Sequence, residues 1–261
     1  MTSLPTTTAP LTSGASIPLL GFGTWQITGD TAREATAAAL SVGYRHLDTA
    51  TVYGNEGEVG AGLADSGLAR EDVFLTSKVP PGEAGRAREV LKTSLELLGV
   101  DALDLWLIHW TEGGADRNLW AELVQAQADG LVRDVGVSNH SLEQVDELAH
   151  ATGVRPSVNQ VKWSPYLYDA ALLAGHRERG VVVEGYSGLK GGTLDEPAVR
   201  AVAERTGRTP AQVLIAWQLQ HGVVVLPKST RPERIRENGD VGDLVLSDDD
   251  MAAIDGLAGS R

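Results

Sequence analysis

The sequence predicts an α/β fold: a (β/α)8 TIM barrel with an N-terminal β-hairpin cap and an extra C-terminal helix. Three observations carry that expectation. Short apolar, β-branched runs recur eight times, each closes on a polar residue, and an amphipathic helical stretch follows. Strands alternating with helices build a parallel sheet, and eight such units close it into a barrel. An open doubly wound sheet is the alternative architecture.

The runs are 19–24, 44–48, 73–78, 103–109, 134–138, 157–160, 181–187 and 223–229. Their ends, the last taken at Lys228, are separated by 24, 30, 31, 29, 22, 27 and 41 residues, close to the length of one strand–helix unit. Between them, 31–42, 84–98, 119–128 and 142–151 carry apolar residues at three- and four-residue steps, the helical period. Gly43, Gly99, Gly130, Gly153 and Gly180 each stand just before the next strand, where a helix needs a left-handed C-cap. Ahead of the barrel, LTSGASIPLLGFGTW reads as a small hairpin over the barrel floor, and residues 1–13 are expected to be flexible. The terminal SDDDMAAIDGLAG reads as a capped helix, with Ser247 as N-cap and Asp residues in its first turn.

Composition narrows the function. The chain has 261 residues, enough to bury roughly three quarters of its unfolded surface as one domain over 1–261 without covalent staples. It has no cysteine, which removes disulfides, thiolate metal sites and cysteine nucleophiles. A net charge of −13 argues against nucleic-acid or anionic-membrane binding. No apolar run is long enough to span a membrane, and the polar start lacks a secretory apolar region. A soluble, cytoplasmic protein is expected.

In a barrel, reactive groups lie at the C-terminal strand ends and in the loops after them. The second run ends in His46-Leu47-Asp48, with Tyr53 in the following loop; the third ends at Lys78 and the fourth at His109. Later runs end in Ser138-Asn139, Asn159-Gln160, Tyr186-Ser187 and Lys228-Ser229-Thr230. The chain has five lysines, and two of them close apolar strands, where a bare ammonium is costly. A strand-end Lys and Asp can simply form a structural ion pair. Four ionisable groups, Asp48, Tyr53, Lys78 and His109, at three successive strand mouths make an acid–base site. Tyrosine titrates near 10, and a neighbouring ammonium lowers that value. Asp48 would hold the ammonium, and His109 would hydrogen-bond a substrate oxygen. The set suits protonation of a carbonyl oxygen while a cofactor delivers hydride to its carbon.

Other signals are weaker. Segment 228–236 carries Lys228, Arg231, Arg234 and Arg236 against one Glu, an anion-binding patch or a solvated helix face. Gly54, Gly57, Gly60 and Gly62 miss the spacing of a phosphate loop, and their later part reads as helix. Trp at a strand end, as at Trp25 and Trp110, is more often core than pocket wall. Lys162 reads as a rim residue and His46 as buried against the barrel wall. His140, His150, His176 and His221 show no metal-ligand spacing and read as surface residues, so no metal site is expected. A metal-dependent hydrolase built on His46, Asp48, Lys78 and His109 fails at the later strands, where Asn159, Gln160 and Ser187 replace the needed ligands. A Schiff-base role for Lys78 is a further enzymatic alternative.

The strings Gly21-Phe22-Gly23-Thr24-Trp25, YRHLDTATVYGNE (44–56), Gly136-Val137-Ser138-Asn139, Asn159-Gln160 and PKSTRPERIREN (227–238) resemble the aldo-keto reductases. The resemblance runs in order over residues 14–258. It implies a TIM barrel that binds NADPH/NADP+ in extended form, a small-molecule carbonyl substrate and a monomer. It implies the catalytic tetrad Asp48, Tyr53, Lys78 and His109, with Tyr53 as general acid in reduction. By the same resemblance Tyr186 stacks on the nicotinamide, and Ser138, Asn139 and Gln160 hold its carboxamide. Ser187 and Leu189 line the pyrophosphate passage. Lys228, Ser229 and Arg234 belong to the 2′-phosphate end, and Glu237 and Asn238 lie near the adenine. Gly23, Thr24, Asp48 and Thr230 are the remaining cofactor-binding positions. Trp25, Tyr53, His109 and Trp110 would wall the substrate pocket. A barrel that binds NADPH as a sensor is the non-enzymatic alternative.

Departures from the family pattern concern the substrate. The loop between Trp110 and Trp120 has only nine residues, Gly188 stands where many relatives have Pro, and His140 stands where an aromatic is common. With the sequence ending at Arg261, the C-terminal specificity loop is expected to be largely missing. Short loops imply an open, shallow pocket with broad, weak recognition of small aldehydes and ketones.

Overall fold

Runs that are apolar at every position form strands buried on both faces, and helices then cover the outside of the sheet. The structure, a computed structural model, describes residues 3–111 and 114–260. Among them lie eight parallel strands in chain order: β3 (Phe22–Gly23), β4 (His46–Asp48), β5 (Phe74–Val79), β6 (Leu103–Ile108), β7 (Val132–Ser138), β8 (Val158–Lys162), β9 (Val182–Tyr186) and β10 (Val224–Val225). Every residue of β5 and β6 is buried. The ring closes between its first and last members: Leu20 bridges Val225, and Val225 N donates to Leu19 O at 2.7 Å. Both closing strands are shorter than the apolar runs 19–24 and 223–229 that announce them. Pro227 has no N–H for a ladder. At Gly21 a Cβ would sit 2.7 Å from the His46 ring. The closure therefore runs through irregular backbone.

The helices alternate with these strands: α1 (Asp30–Val42), α2 (Glu56–Asp65), α3 (Ala87–Leu98), α4 (Arg117–Ala128), α5 (Leu142–Thr152) and α6 (Ala170–Glu178). They fall within three residues of the periodic stretches read from the sequence wherever one was assigned. Helix α5 starts at a capping box, in which Ser141 and Gln144 bond each other's backbone, and ends on left-handed Gly153. The glycines of α2 have a packing reason. A Cβ at Gly60 would lie 2.6 Å from Leu98 O, and one at Gly62 would lie 2.6 Å from Arg33 O. They let α2 press between α1 and α3.

The long interval before β10 holds two helices, α7 (Pro197–Thr206) and α8 (Pro210–Gln220). Helix α8 is buried continuously from Val213 to Gln218 because other elements cover it on all sides. After β10 come α9 (Pro232–Gly239) and α10 (Asp248–Asp255), the latter opened by the Ser247 cap expected from sequence. Asp255 fastens α10 to α8, accepting hydrogen bonds from Trp217 Nε1 at 2.7 Å and His221 Nε2 at 2.8 Å.

At the barrel floor, β1 (Thr8–Pro10) pairs antiparallel with β2 (Ser16–Pro18). The hairpin thus begins earlier than the 11–25 string suggested, and the front end is tied down from Thr8 onward. Leu11, Ile17 and Leu19 plug the barrel against Phe74, Leu105, Leu107 and Val158. Asp134 anchors the turn by accepting from Ser13 N at 3.3 Å and from the Ser13 and Ser157 hydroxyls at 2.5 Å. Of the expected flexible stretch 1–13, residues 1 and 2 lie outside the described residues.

Two histidines read as surface residues are buried instead. His140 Nδ1 bonds Ser138 O at 3.0 Å. His176 Nε2 accepts from the Asn159 amide at 2.9 Å, while the same amide donates to His140 O at 2.7 Å. Asn159 closes one buried strand on this pair, and that cross-link draws both rings inward.

Candidate active site

The mouth of the barrel opens into a cleft of about 850 Å³. The loop after β4 makes a single helical turn at Thr51–Tyr53 and then reverses at Gly54 in the left-handed region. Asn55 fixes that loop. Its amide donates to Thr24 O at 2.9 Å and Ile27 O at 2.8 Å, and its carbonyl accepts from Thr49 Oγ1 at 2.8 Å. Asn55 had not been singled out from the sequence, although it sits in the YGNE string beside Tyr53.

Lys78 is fully buried, and each of its three N–H donors has a partner. Nζ donates to Asp48 Oδ1 at 2.7 Å, to Thr49 O at 2.9 Å and to Tyr53 Oη at 3.2 Å. Burial alone would lower the ammonium pKa, but the charge and hydrogen bond of Asp48 lead the interactions that outweigh it and hold the value above normal. Because Tyr53 Oη accepts from Lys78, its own O–H is free to donate into the cleft that Tyr53 lines. The Tyr53 pKa is raised, chiefly by burial. Lys78 pulls it down as the sequence reading expected, yet burial, with Asp48 adding to it, wins. The phenol therefore keeps its proton at neutral pH.

His109 stands edge-on to Tyr53, with ring centroids 5.5 Å apart. Burial, and then the charge of Lys78, lowers its pKa to about 3, so the imidazole is neutral. Its Nδ1 is buried with no hydrogen-bond partner among the described residues. An N–H there would go unsatisfied, so the proton belongs on Nε2, where it is a donor to the cleft. Asp48, Tyr53, Lys78 and His109 thus meet in one cluster, with Lys78 reaching Tyr53 from below the cleft wall.

The other expected positions divide. Gly23, Ser138, Asn139, Gln160, Tyr186, Ser187, Leu189, Lys228, Ser229, Arg234, Glu237 and Asn238 all line the cleft, as do Trp25 and Trp110. Thr24 and Thr230 do not. Thr24 is buried, and its hydroxyl donates to Asp48 O at 2.9 Å, holding the strand end rather than facing the cleft. Ser138 Oγ donates to Gln160 O at 2.8 Å and accepts from the Asn139 amide at 2.9 Å. Tyr186 Oη donates to Asn139 Oδ1 at 3.1 Å, fixing its ring over the strand ends. Asn139 and Ser187 both adopt left-handed backbone, at φ 57° and 62°, which turns the chain sharply out of β7 and β9.

Sequence reasoning missed Val52, Lys190, Arg200 and the Thr209–Pro210 start of α8, which also line the cleft. Lys190 Nζ lies 4.2 Å from the Trp25 ring centroid. The Thr209 and Gln212 capping box was a legible signal for a helix start at that wall. Lys190 lies in a loop whose course no periodicity reports, and Arg200 lies on α7, a helix not assigned from the sequence.

The donor set suits a phosphorylated dinucleotide. Lys228 and Arg234 line one end, and among the described residues neither has a carboxylate within ion-pair distance. Two unpaired cations in a concave wall of a chain carrying −13 charge fit a multiply charged anion. At the other end the side-chain carbonyl of Gln160, which accepts no hydrogen bond among the described residues, is open to an amide N–H. No group of metal-ligating residues occurs among the described residues. No helix among them is long and apolar enough to cross a membrane.

Comparison with known proteins agrees with this geometry. Residues 19–258 match the Aldo/keto reductase family. The chain is 42% identical over 255 residues to an aldo-keto reductase of Mycolicibacterium vanbaalenii, spanning 96% of this chain and 91% of that one. A crystal structure of an aldo/keto reductase from Brucella melitensis superposes with a TM-score of 0.94 at 37% identity, covering 97% of this chain and 98% of that one. Bombyx mori aldo-keto reductase, solved in complex with NADP, superposes with a TM-score of 0.91 at 29% identity, covering 99% and 94%. Barrel, buried Lys–Asp pair beneath a tyrosine, and likeness over nearly the full length converge: the chain belongs to the aldo/keto reductase family, oxidoreductases that act on carbonyl compounds with nicotinamide cofactors.

Proposed function

We propose that the chain reduces small aldehydes and ketones to alcohols with NADPH, using Tyr53 as the general acid. The observation that carries this reading is the bond from Lys78 Nζ to Tyr53 Oη, made while the same ammonium is held by Asp48. Bound NADPH supplies a hydride for the carbonyl carbon. Tyr53 hands its free O–H proton to the carbonyl oxygen, and the Lys78 ammonium stabilises the phenolate left behind. His109 Nε2–H donates to the same oxygen and sets its direction. Lys228 and Arg234 hold the 2′-phosphate, which favours NADPH over NADH. Ser138, Asn139 and Gln160 take the carboxamide end, with Tyr186 against the nicotinamide.

The substrate side has little enclosure. Trp25, Val52 and Trp110 are each a third to a half exposed where they line the cleft. An exposed apolar rim suits small hydrophobic carbonyl compounds held by few contacts, so high Michaelis constants are expected. The test is consumption of NADPH and of NADH with a small aromatic aldehyde. Turnover with NADPH exceeding that with NADH by roughly tenfold or more supports the reading. No consumption of either, across small aldehydes and ketones, contradicts it.

A further inference from the structure

One buried acid beneath the cleft has no part in the chemistry above. Glu184 lies on β9, fully buried inside the barrel. Its sheet neighbours are Gln160 on β8 and Val224 on β10. The titratable groups facing it are His46 and Asp48 on β4, Lys78 on β5 and Tyr53 in the loop above. Glu184 Oε1 accepts a hydrogen bond from Gln160 Nε2, and the same amide nitrogen donates to Asp48 Oδ2 at 3.0 Å. Both N–H bonds of that amide are therefore committed to carboxyl oxygens below the cleft. Its carbonyl oxygen has no partner among the described residues, and Gln160 lines the cleft.

We propose that Glu184 is a positioning residue for the cofactor end of the cleft, locking the Gln160 amide so that its carbonyl oxygen is the atom offered to the nicotinamide carboxamide. The proposal rests on the reading of Gln160 as a holder of that carboxamide. A flipped amide would set its carbonyl against the Asp48 carboxyl oxygen, which is repulsive, and would withdraw the N–H from the Glu184 carbonyl oxygen. Asp48 alone secures one N–H; Glu184 secures the second and so removes the freedom to rotate.

The state of Glu184 follows from its surroundings. Burial, and then the charge of Asp48, pushes its pKa up to about 8, so it carries a proton at neutral pH. Its Oε2 has no hydrogen-bond partner among the described residues and lies 3.8 Å from His46 Nε2. His46 Nδ1 faces Pro18 O at 3.3 Å and so carries the ring proton, and Nε2 accepts from the Thr76 hydroxyl at 3.2 Å. A neutral acid keeps its C=O toward Gln160 and adds no charge to the site. An ionised one would place a second negative charge beside Asp48. Above the Glu184 pKa, that charge sits next to the amide-holding end of the site. It favours a nicotinamide ring bearing positive charge, as in NADP+, over the neutral ring of NADPH.

The experiment is a fluorescence titration of the full chain with NADPH and with NADP+, for wild type, Glu184→Gln and Glu184→Leu. Glutamine copies the neutral acid in size and charge, offering its C=O to Gln160. At about pH 6.5 it should bind both forms within about twofold of wild type, whereas leucine should weaken both by roughly three- to tenfold. At about pH 9 the wild type should gain a preference for NADP+ over NADPH, by roughly threefold or more, that Glu184→Gln lacks. A purely structural acid would not give a pH-dependent choice between redox forms. Should the leucine variant fail to fold, the glutamine comparison alone decides. Identical preference of wild type and Glu184→Gln at both pH values overturns the proposal, as does a folded leucine variant that binds like wild type. If the wild type binds neither cofactor, the proposed function fails first and this inference falls with it; if it binds both and the variants change nothing, this inference alone fails.

Discussion

Lys78 Nζ and Asp48 Oδ1 lie 2.7 Å apart inside the barrel, both almost wholly removed from water. The pair holds Tyr53, the proposed proton donor, and it also carries risk. A buried charge that loses its partner costs far more than the pair contributes, so Asp48→Asn should destabilise the fold by about 3–5 kcal/mol. Urea unfolding near neutral pH measures this. Adding Lys78→Met to Asp48→Asn should recover part of the loss, because the stranded charge is then gone. Stability unchanged in Asp48→Asn would contradict a buried, mutually dependent pair.

His46 makes stability fall in acid. Its pKa is lowered to about 4, mainly by burial, so between that value and the ordinary histidine value the unfolded chain binds the extra proton. Stability contributed this way is present above the unfolded pKa and drains as pH drops toward the folded one. From about pH 7 to about pH 4, His46 accounts for a loss of about 3 kcal/mol. His109, lowered to about 3, adds in the same direction. Denaturant midpoints at the two pH values should converge in His46→Gln relative to wild type. An equal acid loss in the variant would remove His46 from the explanation.

The unpaired cations of the cleft predict coenzyme choice. Lys228→Gln or Arg234→Gln should each weaken NADPH binding by roughly tenfold or more, the worth of a charge-assisted hydrogen bond. Binding of NADH, which lacks the 2′-phosphate, should change by no more than about twofold. Titration of both coenzymes reads the difference. Equal weakening of both would place these residues elsewhere than at that phosphate.

The proposed reactive cluster was legible because its members interrupt apolar strands. Asp48, Lys78 and His109 end runs that are otherwise largely buried, and physical chemistry demands a reason for each. What stayed hidden depends on contact across strands. Glu184 stands within a strand run as a lone acid, and only the register that sets it beside Gln160 gives it a role. The burial of His140 and His176 follows from Asn159, a residue distant from both in the chain. The sign of the Tyr53 shift was misjudged for a similar reason: sequence reports the neighbouring cation but not the depth at which the phenol sits. Strand boundaries at the barrel seam failed where Gly21 and Pro227 break the ladder, since hydrophobicity there outruns regular backbone.

The central claim is that Tyr53 delivers the proton, and the direct measurement compares Tyr53→Phe with wild type in NADPH-dependent reduction of a small aromatic aldehyde. Phenylalanine keeps the ring and its edge-on contact with His109 but removes the O–H held by Lys78. The account predicts a turnover loss of roughly a hundred- to ten-thousand-fold, with NADPH affinity held within about twofold. Turnover by Tyr53→Phe within about tenfold of wild type, at unchanged cofactor affinity, would contradict it.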